Sequence, residues 1–159
     1  MPALLALCMV PAHRIDAAGE TKADPGSISF QDTETKQNVD LGKVESVRAQ
    51  VVNGRCNVAV TLTSKVMLQL NGILCDGELE KGRRAGNEFR AILMHTPWGE
   101  AALVGEAAAN HLDVSHVEPD QARISFVVVM EGLGRKISAS GSFLTRRRST
   151  PANLQSQVR

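Results

Sequence analysis

Two Asn-Gly steps, each set between stretches of alternating apolar residues, constrain the fold of this chain most strongly. The first, Asn53-Gly54, separates residues 44–52 from residues 55–63, and the second is Asn71-Gly72. A two-residue type I′ turn needs positive φ at both central positions, and Asn-Gly adopts that conformation at the lowest cost. Both steps therefore predict β-hairpin tips, and together they favour an antiparallel all-β fold.

The register of the first predicted hairpin can be checked from the side-chain pattern. A turn at 53–54 pairs Val52 with Arg55, and the pairing continues residue by residue along both strands. One face then carries Val47, Ala49, Val51, Cys56, Val58 and Val60. Because side chains alternate between faces, a slip of one residue would mix this apolar face with the polar one. The pattern and the turn chemistry favour the same hairpin.

The second Asn-Gly step predicts another hairpin. A tip at Asn71-Gly72 places Leu70 opposite Ile73 and Leu68 opposite Cys75. Apolar residues again face apolar residues, so this pattern also favours a two-residue turn.

Alternating apolar stretches with short breaks recur along the chain. They predict strands at about 28–30, 44–52, 55–63, 65–70, 73–80, 89–95, 122–130 and 135–144. Residues 122–130 are nearly all apolar, which predicts a central strand covered on both faces. Residues 100–112 are ambiguous, because the preceding turn favours a returning strand whereas the alanines favour a short helix near 101–112. About eight strands with short turns predict an antiparallel β-sandwich or a small up-and-down β-barrel.

Length and composition narrow the functional classes. A chain of 159 residues corresponds to one domain, and 43% hydrophobic residues are enough for a core. A net charge of +1 gives no field that attracts nucleic acid, and one tryptophan, four phenylalanines and no tyrosine offer little base stacking. No apolar run approaches the roughly 20 residues of a membrane helix. We therefore expect no nucleic-acid partner and no transmembrane span.

The start of the chain has the pattern of an export signal. Residues 3–10 are apolar and lead into Val10-Pro11-Ala12, which fits the small-residue pattern before a signal-peptidase cut. No Lys or Arg precedes them, so we predict a signal-peptide remnant at 1–12, with a buried N-terminal strand as the alternative. A linker, a β-domain and a disordered basic tail are predicted at 13–27, 28–145 and 146–159. The predicted location is periplasmic or secreted, with the cytoplasm as the alternative.

Export would place Cys56 and Cys75 in an oxidising compartment, while Cys8 would leave with the signal. The remaining even pair makes Cys56 and Cys75 a disulfide candidate. In a plain meander, however, the two residues lie about 10 Å apart, which is two strand spacings, and a bridge needs Cα atoms within roughly 7 Å. The alternative is a pair of small buried thiols. No Asn-X-Ser/Thr sequon is present, which favours a bacterial envelope protein over a glycosylated one.

The sequence contains no recognisable catalytic or metal-binding motif. His95, His111 and His116 belong to no HExxH or CxxC motif and to no paired Cys/His spacing. The chain has no Gly-x-Ser-x-Gly motif, and its carboxylates are scattered. We therefore predict no catalytic residue, no metal and no cofactor, and an enzyme is the less favoured class.

Two places carry weak binding signals. Arg83 and Arg84 lie in a predicted loop at 81–87 that could hold an anion, although a solvated hairpin loop has the same composition. Trp98 lies in a predicted turn at 96–99. Tryptophan at such a tip fits a binding hot spot or, alternatively, a plug over the end of a barrel.

These observations favour an exported, non-catalytic binding or assembly module of the bacterial cell envelope. Its expected partner is another envelope protein or a second copy of itself. The alternative is a small β-barrel carrier of an apolar ligand, which predicts an interior cavity lined by Leu, Val and Met. A hydrolase with an unrecognised site is the third interpretation, and it predicts a pocket that joins a histidine to a carboxylate.

Overall fold

A computed structural model describes residues 24–75 and 77–147, which form eleven β-strands and no helix. The strands are β1 (Gly26–Asp32), β2 (Asn38–Val39), β3 (Val44–Val52), β4 (Arg55–Leu62), β5 (Met67–Leu74), β6 (Gly82–Ala85), β7 (Arg90–Met94), β8 (Leu103–Gly105), β9 (His111–Glu118), β10 (Gln121–Gly132) and β11 (Arg135–Arg146). The predicted signal remnant, most of the predicted linker and the tail from Arg148 onward lie outside the described residues.

All strand pairings among the described residues are antiparallel, and they build one sheet in the order β2-β1-β11-β10-β8-β7-β5-β4-β3. β9 pairs with the first half of β10 and with β6, so the sheet branches at β10. The sheet curls into a half-barrel. The predicted all-β antiparallel fold is confirmed, and three strands of two to four residues, β2, β6 and β8, account for most of the difference from the predicted number.

The hairpin predicted at Asn53-Gly54 is confirmed. Val52 at the end of β3 pairs with Arg55 at the start of β4. The φ angles are 51° at Asn53 and 72° at Gly54, both positive as a type I′ turn requires. The predicted register continues as far as the pair of Val47 and Val60.

The hairpin predicted at Asn71-Gly72 is wrong. β5 runs through both residues and pairs with β4 on one side and β7 on the other. The register with β4 shifts here, so that Asn71 and Gly72 together face Asn57. Gly72 has a φ of 81°, and its N–H donates to Asn57 Oδ1 at 2.8 Å. Asn-Gly thus supplies the positive φ of a β-bulge rather than that of a turn.

The chain reverses between β4 and β5 at residues 63–66, at the break expected between the predicted strands 55–63 and 65–70. The N–H of Leu62 donates to the carbonyl of Val66 at 2.9 Å, and Lys65 carries the positive φ, 72°. This turn contains neither glycine nor asparagine, but Ser64 Oγ accepts the N–H of Val66 at 3.4 Å, as serine commonly does in turns. Because β5 continues through Asn71 and Gly72 without a second reversal, its last residues lie beside β4 rather than one strand further away.

The short helix considered near 101–112 is also wrong. Residues 103–105 form β8, and β9 begins at His111 after a loop that contains the alanines. Leu103 and Gly105 are buried while Val104 between them is half-buried, which is the two-residue alternation of a strand. Pairing with β7 and β10 outweighs the helix propensity of the alanines.

β10 is central, as predicted, but it is not covered on both faces. It pairs with β11 along its whole length and with β9 and β8 on its other side. Ile124, Phe126 and Val128 are buried, whereas Val127, which points to the opposite face, is 41% exposed. The outer face of the half-barrel is therefore open to solvent here, although the strand is nearly all apolar.

The core lies on the inner face of the curled sheet. Its fully buried side chains include Val58, Val60, Leu62, Leu68, Leu70, Leu93, Leu103, Ile124, Met130 and Phe143. In the described part of the chain we find no helix of the length and hydropathy needed to cross a membrane.

Candidate functional site

Edge strand β3 marks the place where the buried core meets solvent. Within residues 24–75 and 77–147, β3 pairs with β4 alone. The side chains of Val58 and Val60 on β4 have 0% exposure, whereas Ala49 and Val47, which lie opposite them on β3, are only half-buried. Val51 continues this half-buried row. The apolar interior therefore reaches the surface along β3.

The free edge of β3 also presents main-chain donors and acceptors. In a two-residue hairpin the pair that flanks the turn, here Val52 and Arg55, exchanges both N–H···O=C bonds. Hydrogen-bonded and non-hydrogen-bonded pairs alternate from that point, so Val47, Ala49 and Val51 lie in non-hydrogen-bonded pairs. Their N–H and C=O groups consequently point away from β4, toward the free edge.

An exposed apolar pair lies on the outer face beside the hairpin tip. Val52 on β3 is 45% exposed and Leu74 on β5 is 62% exposed, and both lie opposite Arg55 on β4. The Arg55 guanidinium is held by a hydrogen bond from Nη1 to the carbonyl of Gly72 at 2.9 Å. Exposed apolar surface is therefore present on both faces at this end of the sheet.

The structure places Cys56 on β4 and Cys75 just after the end of the neighbouring strand β5. Both are buried thiols, and the N–H of Cys75, just after β5, donates to the carbonyl of Gly54 at 3.0 Å. Burial raises the pKa of the Cys56 thiol to about 12, assisted by the charge of Cys75 and by a side-chain hydrogen bond with it. The expected separation by two strand spacings is therefore wrong, because it depended on a hairpin at Asn71-Gly72. The disulfide itself stays a prediction.

Trp98 is half-buried and packs against the core. The guanidinium carbon of Arg135 lies 5.1 Å from its ring centroid, and Arg135 Nη1 lies 3.5 Å from Asp32 Oδ2. Asp32 also accepts the backbone N–H groups of Thr35 and Glu34 at 3.0 and 2.9 Å, and these bonds together with Arg135 lower the pKa of the carboxyl. Trp98 is thus held within the fold, and its role as a binding hot spot stays a prediction.

Arg83 and Arg84 lie on strand β6, so the prediction that residues 81–87 form only a loop is wrong. Successive side chains of a strand point to opposite faces. Arg83 is exposed, whereas Arg84 is half-buried and donates from Nη2 to the carbonyl of Glu80 at 3.2 Å. The strand separates the two guanidinium groups, which does not favour a shared anion site.

Within residues 24–75 and 77–147, the histidines do not form a chemical cluster. His116 Nε2 forms a hydrogen bond with the carbonyl of Leu79 at 2.9 Å, and His95 is exposed in a turn. In the described ranges, no group of three His, Cys, Asp or Glu side chains is placed to hold a metal ion. A solvent-open hollow of about 510 Å³ beside β8 is lined instead by Glu131, Lys136 and seven other residues, none of them histidine.

Sequence reasoning identified the apolar face of β3 but did not single out its free edge. The available signal was the absence of protective residues. Natural edge strands commonly carry proline or lysine, whereas residues 46–52 contain neither. The signal becomes useful only when the strand is known to lie at an edge, and tertiary pairing decides that.

No family model, curated protein or solved structure matches this chain.

Proposed function

We propose that this protein is an exported, non-catalytic binding module of the bacterial cell envelope that accepts an extended strand of a partner protein at the free edge of β3. The observation that carries the proposal is the contrast between the fully buried inner face of β4 and the half-buried inner face of β3. An added strand would bury Val47, Ala49 and Val51 and would pair their outward main-chain groups.

The chemistry of β3 defines the strand that fits it. In strand addition, main-chain hydrogen bonds supply affinity and alternate side chains supply specificity. Small or β-branched apolar residues are needed at every second position of the partner, to cover the half-buried row. The intervening positions suit polar residues, since Arg48 and Gln50 are exposed on the outer face of β3. An acidic residue opposite Arg48 would add charge complementarity.

The free edge of β3 has little protection against strand addition. A register shift between Val44 and Ser46, and an ion pair of 2.8 Å between Lys65 and Glu45, lie at the beginning of the strand. The following residues, 47–52, contain no proline and no inward-facing charge. Long uncovered edges promote aggregation, so proteins normally protect or pair them. A dedicated partner strand is consistent with an edge left in this state.

The envelope location is supported by the apolar residues 3–10 and the small-residue pattern that follows them. The apolar-ligand carrier and the hydrolase stay predictions, and no specific observation in the described residues favours either one.

The test compares Ala49→Lys with Gln50→Lys, which add the same charge at adjacent positions on opposite faces of β3. Full-length protein with Ala49→Lys, with Gln50→Lys or with neither substitution carries a photo-crosslinking amino acid at the exposed position Val52 and is expressed in the native host. We expect one dominant cross-linked protein with the wild type and with Gln50→Lys, and its loss with Ala49→Lys. A charge on the inner face is incompatible with an added apolar strand. Equal cross-linking by both variants contradicts the proposal, as does the absence of a specific cross-linked protein.

A second variant distinguishes loss of main-chain pairing at the free edge of β3 from loss of the folded structure. Ala49→Pro removes an N–H that points toward the free edge and leaves the β3–β4 ladder in place. Circular dichroism and thermal unfolding verify that each variant folds. A folded Ala49→Pro variant that still captures the partner shows that binding does not use the main chain of β3.

A further inference from the structure

The pairing of β4 with β5 brings Cys56 and Cys75 close together. Cys56 is the second residue of β4 and pairs with Ile73 on β5. Cys75 follows two residues after Ile73, so its side chain falls on the same inner face as that of Cys56. The two side chains are 2% and 3% exposed and share a hydrogen bond. The bond from Cys75 N–H to the carbonyl of Gly54 holds the backbones together at this level.

We infer that Cys56 and Cys75 form a disulfide that fastens the β3–β4 hairpin to the end of β5. The oxidant is a disulfide-bearing compound or a thiol–disulfide oxidoreductase. One cysteine thiolate attacks the oxidant disulfide and displaces a thiolate, which leaves a mixed disulfide. The second cysteine thiolate then attacks the sulfur of the first and displaces the other oxidant thiolate. The protein loses two protons and two electrons, and the oxidant is reduced to two thiols.

Burial determines when this bond forms. The thiolate is the attacking species, and the raised pKa of Cys56 keeps the folded protein in its thiol form at neutral pH. Both sulfurs are also shielded from a large oxidant. The bond therefore forms while β4 and β5 are assembling and is protected from reductants once the core closes.

The bond would act on the same end of the sheet as the free edge of β3. Cys56 pairs directly with Val51, the last inward-facing residue of β3. A covalent tie between Cys56 and the end of β5 restricts separation of the hairpin from the rest of the half-barrel. The inference does not rest on the proposed function, because the bond can be measured without any partner.

The experiment refolds the reduced full-length protein in a mixture of oxidised and reduced glutathione, blocks remaining thiols with iodoacetamide and digests the protein with trypsin. Cleavage after Arg55, Lys65 and Lys81 leaves the two cysteines in separate peptides, 56–65 and 66–81. We expect these peptides to be joined by a disulfide, with loss of alkylation at both cysteines. The Cys8→Ser variant serves as control and should give the same linked pair.

Alkylation of both Cys56 and Cys75 after refolding overturns the inference, and so does a predominant link of either one to Cys8. A second measurement compares unfolding with and without reductant. We expect reductant to lower the urea midpoint of the oxidised wild type and to leave Cys56→Ala unchanged. If oxidised, linked protein lacks the circular dichroism of the reduced folded protein, the bond is non-native and the inference fails.

Discussion

The side-chain amide of Asn110 completes the β-ladder at Val129. Nδ2 of Asn110 donates to the carbonyl of Val129 at 3.2 Å, and Oδ1 accepts the N–H of Val129 at 2.8 Å. Asn110 is 2% exposed and lies where β10 changes partner from β9 to β8. The amide thus makes the hydrogen bonds that a strand residue would make at the branch point of the sheet. Buried backbone N–H and C=O groups require such partners.

Removing this amide should destabilise the protein. Asn110→Ala leaves the buried N–H and C=O groups of Val129 without partners, and we expect a loss of about 1–3 kcal/mol in the free energy of unfolding. Urea denaturation monitored by circular dichroism measures it. The exposed loop residue Asn87 provides the control, because Asn87→Ala should change the free energy by less than about 0.5 kcal/mol. Equal effects of the two substitutions would show that the Asn110 bonds contribute nothing.

The bulge in β5 predicts a conformational cost at Gly72. A Cβ added there meets no atom within 4 Å, so the cost of Gly72→Ala comes from its φ of 81° alone. We expect about 1–2 kcal/mol for a side chain in this left-handed conformation. Gly72→Asn should cost less, because asparagine tolerates positive φ. Urea denaturation of the two variants tests this order, and an equal or larger loss for asparagine would contradict it.

The two Asn-Gly steps show how far local chemistry determines this fold. Positive φ was correctly expected at Gly54 and at Gly72, and both glycines have it. Whether positive φ produces a turn or a bulge depends on pairing with distant residues. At Gly72, pairing of β5 with β7 keeps the strand running, as the pair of Asn71 and Arg90 shows. Local sequence could not reveal that pairing, and the distance expected between the cysteines was wrong for the same reason.

The candidate site was predictable only in part. The apolar row of Val47, Ala49 and Val51 followed from the hairpin register and is confirmed. The half-exposure of that row depends on the sheet ending at β3, which is a property of the whole strand order. Alternation along one strand cannot distinguish an edge from a central position.

The lowered pKa of the Asp32 carboxyl predicts that the protein loses stability in acid. Backbone hydrogen bonds from Thr35 and Glu34, together with Arg135, lower the pKa of its carboxyl from the ordinary value of 3.8. The unfolded chain therefore takes up the proton first as the pH falls. The stabilisation by Asp32 is complete above about pH 4 and disappears as the pH falls through the lowered pKa of the folded protein. Urea denaturation between pH 7 and pH 2 should show a smaller acid-dependent loss for Asp32→Asn than for the wild type. Identical pH profiles would contradict the shift.

Cys56 predicts the opposite pH dependence in reduced protein. Its thiol pKa rises from 9.0 to about 12 on folding, mainly through burial. The unfolded chain therefore ionises first as the pH rises, so stability is complete below about pH 9 and is lost between pH 9 and pH 12. The chain has no tyrosine, but its lysine amines also titrate in this range, so Cys56→Ala, which keeps every lysine, is needed to isolate the effect of the thiol. We expect the free energy of unfolding in reductant to fall more steeply above pH 9 for the wild type than for Cys56→Ala. Oxidised protein should lose this extra slope, because a disulfide sulfur has no proton to release. The same slope in all three samples would show that the Cys56 thiol is not responsible.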